Sequence, residues 1–457
     1  MPRVPSFSVF VVAAVLAGCA VGPKYQRPQV AQPPNFRQLQ ESTPASLADQ
    51  AWSELFKDPV LQQLVRDAIH NNYDLRIAAI RVEEARATAR IDASGLYPQI
   101  SVAGSIAREQ VPPYGIINGA SVAPQLSWEI DFWGRLRRER DAGRYQLLAS
   151  EEGRRGVLVS LIAQVTSGYF TLRELDLQLQ IAHDTVGTRQ HTLDLFNKLK
   201  LAGVNSGLDI AQAEADLAAA ESSIPDLERQ IVQQEDSLRL LLAENPGEIT
   251  RGTLLTDQYM PPDVPAGLPS ALLERRPDIR EAEATLQASN ALVGLARGNF
   301  FPQISLTGLL GIASSQLVGL AGGSGLAYSG GASLLAPVFE GGRLRGQYDL
   351  ARQQWEENRA NYEKSVQNSF REVADALIQT QKLRELRVVQ EREVDALSRA
   401  LHLSTIRYTG GLSSYLDVLD SQRGLFTAQI ALAQTRGGQL LALVDLYRAL
   451  GGGWQQP

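Results

Sequence analysis

The two halves of this chain carry the same markers in the same order, and that constrains the fold more than anything else in it. Tyr97-Pro98-Gln99-Ile100-Ser101 returns as Phe301-Pro302-Gln303-Ile304-Ser305, and Gly134-Arg135-Leu136 returns as Gly342-Arg343-Leu344. Gly203 with Leu208-Asp209 returns as Gly411 with Leu416-Asp417, and Asp74-Leu75-Arg76 is echoed by Asp278-Ile279-Arg280. A solenoid would need more and shorter repeats, so two copies of a large unit predict a pseudo-twofold protomer. Each copy reads as a helix (roughly 59–94, then 270–299), two short strands around a Gly/Pro-rich loop, a very long helix, a glycine turn and a returning helix.

The strand segments alternate. Apolar Val122, Leu126, Trp128 and Ile130 take even positions, against Ser121, Gln125, Ser127 and Glu129. Ile304, Leu306 and Leu310 do the same against Ser305 and Thr307; Ile100, Val102 and Ile106 form one further face, and Tyr328, Ala332, Leu334 and Val338 another. Period two over about ten residues suits a tilted membrane-spanning strand, and equally a half-buried soluble sheet. Residues 110–120 and 314–325, rich in Gly, Pro and Ser, read as the loops between strands. Trp128, Phe132 and Trp133 at a strand end read either as an aromatic girdle or as packing between helices and sheet.

The helical signal is stronger. Residues 134–201 contain no proline, and Leu158, Leu161, Val165, Tyr169, Leu172, Leu175 and Leu179 recur at helical spacing. At 1.5 Å per residue such a helix is about 100 Å long. The returning helix keeps a heptad in Ile210, Leu217, Ile224, Ile231 and Leu238, with Ala213, Ala220, Leu227 and Leu241 in the second seam position. That predicts coiled-coil packing with a left-handed supercoil, kinked at Pro225.

The amino terminus differs from the rest. Arg3 is followed by an apolar run over 9–16 and then by Leu16-Ala17-Gly18-Cys19. The run is too short to span a bilayer permanently. It reads as a signal peptide over 1–18 whose last residues resemble a bacterial lipobox. That resemblance implies cleavage before Cys19 and attachment of lipid (diacylglyceryl, with palmitate) to its sulfur. Ala20, rather than an aspartate, points to the outer membrane. Residues 19–50 read as an extended, proline-rich tether, 51–250 as the first repeat and 251–457 as the second.

Composition excludes other classes. A net charge of −6 without a basic run argues against a nucleic-acid partner. A single cysteine allows no disulfide within the chain, and His70, His183, His191 and His402 have no metal-ligand spacing. Gly322-Gly323-Ser324-Gly325 lacks the lysine of a phosphate loop, and neither Gly-x-Ser-x-Gly nor His-Glu-x-x-His occurs, so the chain is read as no enzyme, with no cofactor and no metal. The mature chain has no stretch of 18 consecutive apolar residues, so any crossing of a bilayer must use a closed barrel. Four strands cannot close one. Two copies give eight strands filled by side chains; three give twelve and leave a lumen.

Several stretches resemble the outer-membrane efflux protein family in its lipoprotein subgroup, the TolC-like outer-membrane factors of tripartite resistance-nodulation-division (RND) pumps. They are the lipobox with Gly22-Pro23, the region 52–75, Leu273-Glu274-Arg275-Arg276-Pro277-Asp278-Ile279-Arg280, Phe300-Phe301-Pro302-Gln303-Ile304-Ser305-Leu306, and Arg407-Tyr408 with Leu416-Asp417-Val418-Leu419-Asp420. The resemblance implies an α+β membrane protein: a homotrimer sharing a twelve-stranded antiparallel β-barrel, four strands per protomer, continued by a long α-helical coiled-coil barrel in the periplasm. It implies small-molecule export, a periplasmic adaptor and an inner-membrane RND-type transporter as partners, and multidrug resistance as one outcome.

The resemblance also places Leu416, Asp417 and Asp420, at i, i+1 and i+4, around a periplasmic aperture: an apolar ring beside six carboxylates in a trimer. The other reading makes Asp417 a helix N-terminal carboxylate and Leu416 core. Gly203, Val204, Asn205 and Ser206, with Gly410, Gly411, Leu412 and Ser413, read as plain hairpin turns, as adaptor-contacting tips, or both. Some relatives carry in this turn an arginine that ties neighbouring helices; Ser413 stands near there, so any tie must use another partner. A protein-secretion channel shares the fold and is the alternative function; an adhesive coiled coil would leave the four strands and the repeat unexplained.

Overall fold

A computed structural model describes residues 21–34, 36, 46–201, 206–261, 267, 269–315, 320 and 325–452. Cys19, Gly203, Val204 and Asn205 lie outside them, as does most of 314–325. In chain order the main elements are α1 (Pro59–Asn71), α2 (Tyr73–Ser94), β1 (Gln99–Val111), β2 (Gly115–Ile130), α3 (Arg135–Leu201), α4 (Gly207–Glu221), α5 (Ser223–Leu241), α6 (Pro277–Gly298), β3 (Gln303–Ser314), β4 (Leu326–Leu335), α7 (Arg343–Thr409) and α8 (Tyr415–Ala449). Both long helices, α3 and α7, have 67 residues. The chain forms two compact units, each drawing on both repeats: one from Met1–Val30, Ala79–Gly153 and Asp278–Ser365, the other from Ala31–Ala78, Arg154–Pro277 and Val366–Pro457.

The first unit holds one antiparallel sheet in the order β1-β2-β3-β4. Its register brings even positions to even and odd to odd. Trp128 pairs with Leu306 and Leu306 with Ala332; Ile130 pairs with Ile304 and Ile304 with Leu334. On the other face Ser127 meets Thr307, and Glu129 meets Ser305, which meets Ser333. Ser105 and Ser121 share a hydroxyl hydrogen bond at 2.8 Å across β1 and β2. The alternation therefore yields one apolar and one largely polar face, since successive side chains point to opposite sides. The apolar face is uncovered: Ile106 is 77% and Tyr328 80% exposed. Among the described residues β1 and β4 each pair on one side only, so each sheet edge presents a row of backbone groups without a strand partner.

Three of the four strands are longer than the sequence suggests, with 13, 16 and 12 residues in β1, β2 and β3, while β4 has 10. Only Pro112, Pro113 and Tyr114 turn the first hairpin, and Gly115 to Ala120, assigned above to a loop, pair with Val111 to Ile106. Val338, by contrast, falls outside β4, which ends at Leu335 just before Pro337. Proline has no N–H for the ladder and holds its predecessor away from it. At the sheet's other junction, the Trp128 indole donates to Leu96 O at 3.1 Å and that of Trp133 to Pro302 O at 2.8 Å. Trp133 packs on Phe301 with ring centroids 4.9 Å apart. Of the two readings of these aromatics, packing between helix ends and sheet is what the contacts support.

The second unit is helical. Val165, Tyr169 and Leu172 of α3 pack with Leu61, Val65 and Ala68 of α1, Leu238 of α5, Val373 of α7, and Leu443 and Leu446 of α8. Asp58 caps α1 through Val60 N at 2.9 Å and also accepts from the Tyr169 hydroxyl at 2.7 Å, Thr253 N at 2.9 Å and Gln258 Nε2 at 3.0 Å. Burial alone would raise this carboxyl, but those hydrogen bonds bring it below the usual carboxylate range. Among the described residues, no helix is long and apolar enough to cross a membrane.

Three helix expectations are revised. The helix over 59–94 is two, broken at Asn72, which is extended at φ −58°, ψ 131°. The helix over 270–299 is likewise broken at Arg276, φ −74°, ψ 121°. The breaks are equivalent in the repeats and serve one purpose. Asn72 Nδ2 donates to Leu241 O at 2.9 Å, and Arg276 Nη1 donates to Ala449 O at 3.0 Å. Each satisfies the last carbonyl of a returning helix, which would otherwise have no partner. The third concerns Pro225: the helix is interrupted at Ser222, between α4 and α5, although Ser222 keeps helical dihedrals at φ −64°, ψ −21°. Pro225 cannot donate to Glu221 O and its ring crowds that carbonyl, so the distortion appears one turn earlier. Ser222 and Ser223 hydroxyls take up Ala219 O and Ala220 O at 2.9 and 2.7 Å.

Candidate functional site

Helix α7 ends in a tight motif built by its sequence. Gly411 adopts φ +70°, where an L side chain is strained. Gly411 N then donates to Tyr408 O at 2.9 Å and Leu412 N to Arg407 O at 2.8 Å, which closes the helix end and reverses the chain. Gly410 is the last residue before that turn, Leu412 stands 73% exposed at the tip, and Ser413 is half-buried. Ser206 begins α4 at the corresponding tip and is exposed.

The first turn of α8 divides cleanly. Tyr415, Val418 and Leu419 are buried with Phe196 of α3 and with Ile210 and Ala213 of α4. The Phe196 ring meets Tyr415 edge-on at 4.5 Å and Tyr408 at 5.6 Å. This aromatic cluster fixes α8 against both helices of the first hairpin, and Leu416, Asp417 and Asp420 consequently share the outward sector. Leu416 is 60% exposed, which removes the reading of it as core within one protomer.

The repeat sharpens the role of Asp417. Its counterpart Asp209 is spent on a capping box: Ser206 Oγ accepts from Asp209 N at 3.2 Å, and Asp209 Oδ2 accepts from Ser206 N at 3.0 Å. Ser414 makes no such side-chain cap on α8. Among the described residues, the carboxylates of Asp417 and Asp420 have no hydrogen bond or ion pair, so both are available to something outside the protomer.

A second cluster lies deeper in the same helices. Asp216 of α4, its side chain 2% exposed, sits between Arg189 of α3 and Arg423 of α8. Arg423 Nε donates to Asp216 Oδ1 at 2.9 Å, and Arg189 Nη1 donates to Asp216 O at 2.6 Å. Arg189 Nε also lies 2.9 Å from Asp216 Oδ2, but without hydrogen-bond alignment. Burial pushes the Arg189 guanidinium down against the pull of Asp216. Burial, then the Asp216 charge, pushes the Tyr415 phenol up to about 12. This cluster joins α3, α4 and α8 within one protomer. The sequence held a clue, an acid beside Leu217 on an apolar seam, but the pairing of Asp216 with residues 27 and 207 positions away needs the tertiary structure. Among the described residues no group of His, Cys, Asp or Glu is placed to hold a metal.

Known proteins share this architecture. The model of the family "Outer membrane efflux protein" matches twice, over residues 64–244 and 268–452. The toluene efflux pump outer membrane protein TtgC of Pseudomonas putida is 36% identical over 465 residues, covering 98% of this chain and 96% of that one. The cation efflux system protein CusC of Escherichia coli is 34% identical over 455 residues, covering 97% and 98%. The open-state structure of the Neisseria gonorrhoeae outer membrane channel MtrE superimposes with a TM-score of 0.88 at 30% identity, covering 96% of this chain and 99% of that one. With the two-copy sequence, the four-stranded sheet and the paired long helices all matching, this chain belongs to the outer membrane efflux protein family and has the fold of its outer-membrane channels.

Proposed function

We propose that three copies of this chain close one twelve-stranded barrel in the outer membrane and form the passive exit conduit of a tripartite pump for small molecules. One observation carries this reading: a sheet with an uncovered apolar face, a polar face and two unpaired edges. In lipid each unpaired backbone group costs several kcal/mol, and an edge is relieved only by another strand. Joining β4 of one copy to β1 of the next leaves no edge after the third, and turns Ser105, Ser121, Ser127 and Thr307 toward a wet lumen. The long helices continue the conduit into the periplasm. Relatives named for antibiotic, toluene and cation efflux leave the cargo open within small molecules. The partners are a periplasmic adaptor, meeting residues 203–206 and 410–413, and an inner-membrane RND-type transporter. Cys19 carries the lipid anchor. Native mass spectrometry of the purified protein should give a trimer whose chains begin at an acylated Cys19; a free thiol there removes the anchor, and a monomer or tetramer removes the barrel.

At the periplasmic end, threefold symmetry gathers Leu416 into an apolar ring and Asp417 with Asp420 into six carboxylates. Crowded carboxylates repel, so divalent cations bound between them favour the narrow state. In planar-bilayer recordings Leu416→Ala should raise resting conductance severalfold. The Asp417→Ala/Asp420→Ala pair should weaken block by divalent cations about tenfold, with trimer yield unchanged. Glu356→Ala, on the exposed side of α7, is the control. Equal conductance and cation response in every variant would place the constriction elsewhere.

A further inference from the structure

We infer that the cleft between the tether, α6 and α7 is a binding site for the phosphate of an anionic phospholipid headgroup. The cleft has a volume of about 700 Å³. Lys24 and Arg27 of the tether, Arg297 of α6, and Arg352 and Arg359 of α7 line it, and among the described residues its lining contains no Asp or Glu. Glu283 pairs with Arg27, and Glu356 and Glu363 lie beside Arg359. Lys24, Arg297 and Arg352 have no ion pair among the described residues. Three uncompensated cations converge here in a chain of net charge −6. A fourth group lies at the same cleft: Trp355 lines it, and among the described residues its buried indole N–H has no acceptor. A buried donor without a partner is costly, and an anionic oxygen would satisfy it.

The site is built, not incidental. The tether is seated by Val21 N on Trp133 O at 3.0 Å, by Asn290 Nδ2 on Pro23 O at 3.2 Å and by Arg27 on Glu283 at 2.7 Å. Gly22, at φ +123°, lies so close to α6 that a Cβ on it would come within 2.6 Å of Gly294 Cα. That approach sets the tether's register and hence delivers Lys24 and Arg27 to the cleft. Location selects the source of the phosphate. Arg297 stands in the last turn of α6, which ends at Gly298 just ahead of β3, beginning at Gln303. That is the depth of the headgroups beside the barrel's periplasmic rim. The planar guanidinium groups of Arg297 and Arg352 suit bidentate contact with phosphate oxygens.

The inference rests on the outer-membrane reading above, and its test separates the two. Purified full-length trimer in detergent is titrated with phosphatidylglycerol, with phosphatidylethanolamine and with inorganic phosphate, and bound species are counted by native mass spectrometry. Wild type should hold phosphatidylglycerol at least about tenfold tighter than phosphatidylethanolamine, and millimolar phosphate should not displace it. Arg297→Ala/Arg352→Ala should lose at least about tenfold in that affinity, since each charge-assisted contact is worth that much. Trp355→Phe keeps the ring, removes the donor and should weaken binding severalfold. Arg297→Lys/Arg352→Lys should restore part of the affinity and guards against a misfolded alanine variant. Displacement by inorganic phosphate would make this a free-anion site and overturn the lipid assignment. Equal binding of both lipids, or unchanged binding in the alanine and Trp355→Phe variants, would overturn it as well. Loss of the trimer in wild type would instead strike the barrel reading.

Discussion

Leu310→Arg should abolish assembly, whereas Ser329→Arg, one step away on the neighbouring strand, should leave it intact. Leu310 pairs with Tyr328 on the apolar face, and Ser329 pairs with Leu309 on the polar one. Both lie near mid-strand, so the contrast isolates the direction of the side chain. An arginine facing hydrocarbon at the midplane costs about 2–4 kcal/mol in a membrane barrel. Three copies would carry it three times, against a typical stability of about 5–15 kcal/mol for a folded domain. Facing water, the same residue costs little, but three guanidinium groups in the lumen should lower cation conductance. Heat-modifiable migration and bilayer recording read the two outcomes. If both variants assemble equally well, the apolar face does not meet lipid.

Asp216→Ala should loosen the hairpin tips. The substitution strands Arg189, only 5% exposed, without its counter-charge. Breaking a buried pair by removing one partner costs about 3–5 kcal/mol, because the remaining charge cannot reach water. Arg423 is 57% exposed, so Arg423→Ala should cost under about 1 kcal/mol by comparison. Since Asp216 joins α3, α4 and α8, the loss falls on the helices that seat Tyr415 and present Leu416. Amide exchange across 415–422 should therefore accelerate by orders of magnitude in Asp216→Ala and little in Arg423→Ala, and resting conductance should follow the same order. Replacing Arg189 and Asp216 together by leucines should recover most of the stability. Exchange that is the same in wild type and Asp216→Ala would show that the aromatic cluster of Phe196, Tyr408 and Tyr415 holds the tip without the charges.

Much of the architecture was legible from local pattern. Repeat markers, the period-two runs, the proline-free 134–201 and the heptad from Ile210 to Leu238 are each short-range signals, and short-range physics decides helix against strand. The even-position strand residues do share a face, apart from Val338. The errors have a common form. Asn72 and Arg276 break helices that the pattern continued: Asn72 Oδ1 caps α2 by accepting from Leu75 N, Pro277 holds Arg276 extended, and both side chains reach the last carbonyl of a helix far away in sequence, Leu241 and Ala449. Residues 115–120 look like loop by composition, yet they are strand because β1 offers a ladder to pair with.

The sequence alone determined the twofold repeat, the element types and the polar and apolar sides of the strands, and it put Leu416, Asp417 and Asp420 in one sector of α8, since periodicity fixes which residues share a face; that this sector faces outward was decided by the tertiary structure. Only the tertiary structure decided which groups meet. It paired Asp216 with Arg189 and Arg423, spent Asp209 on a cap while leaving its repeat partner Asp417 free, and laid the tether on α6 to make a cationic cleft. Those choices depend on distances between segments up to hundreds of residues apart, and no local pattern encodes a distance of that kind.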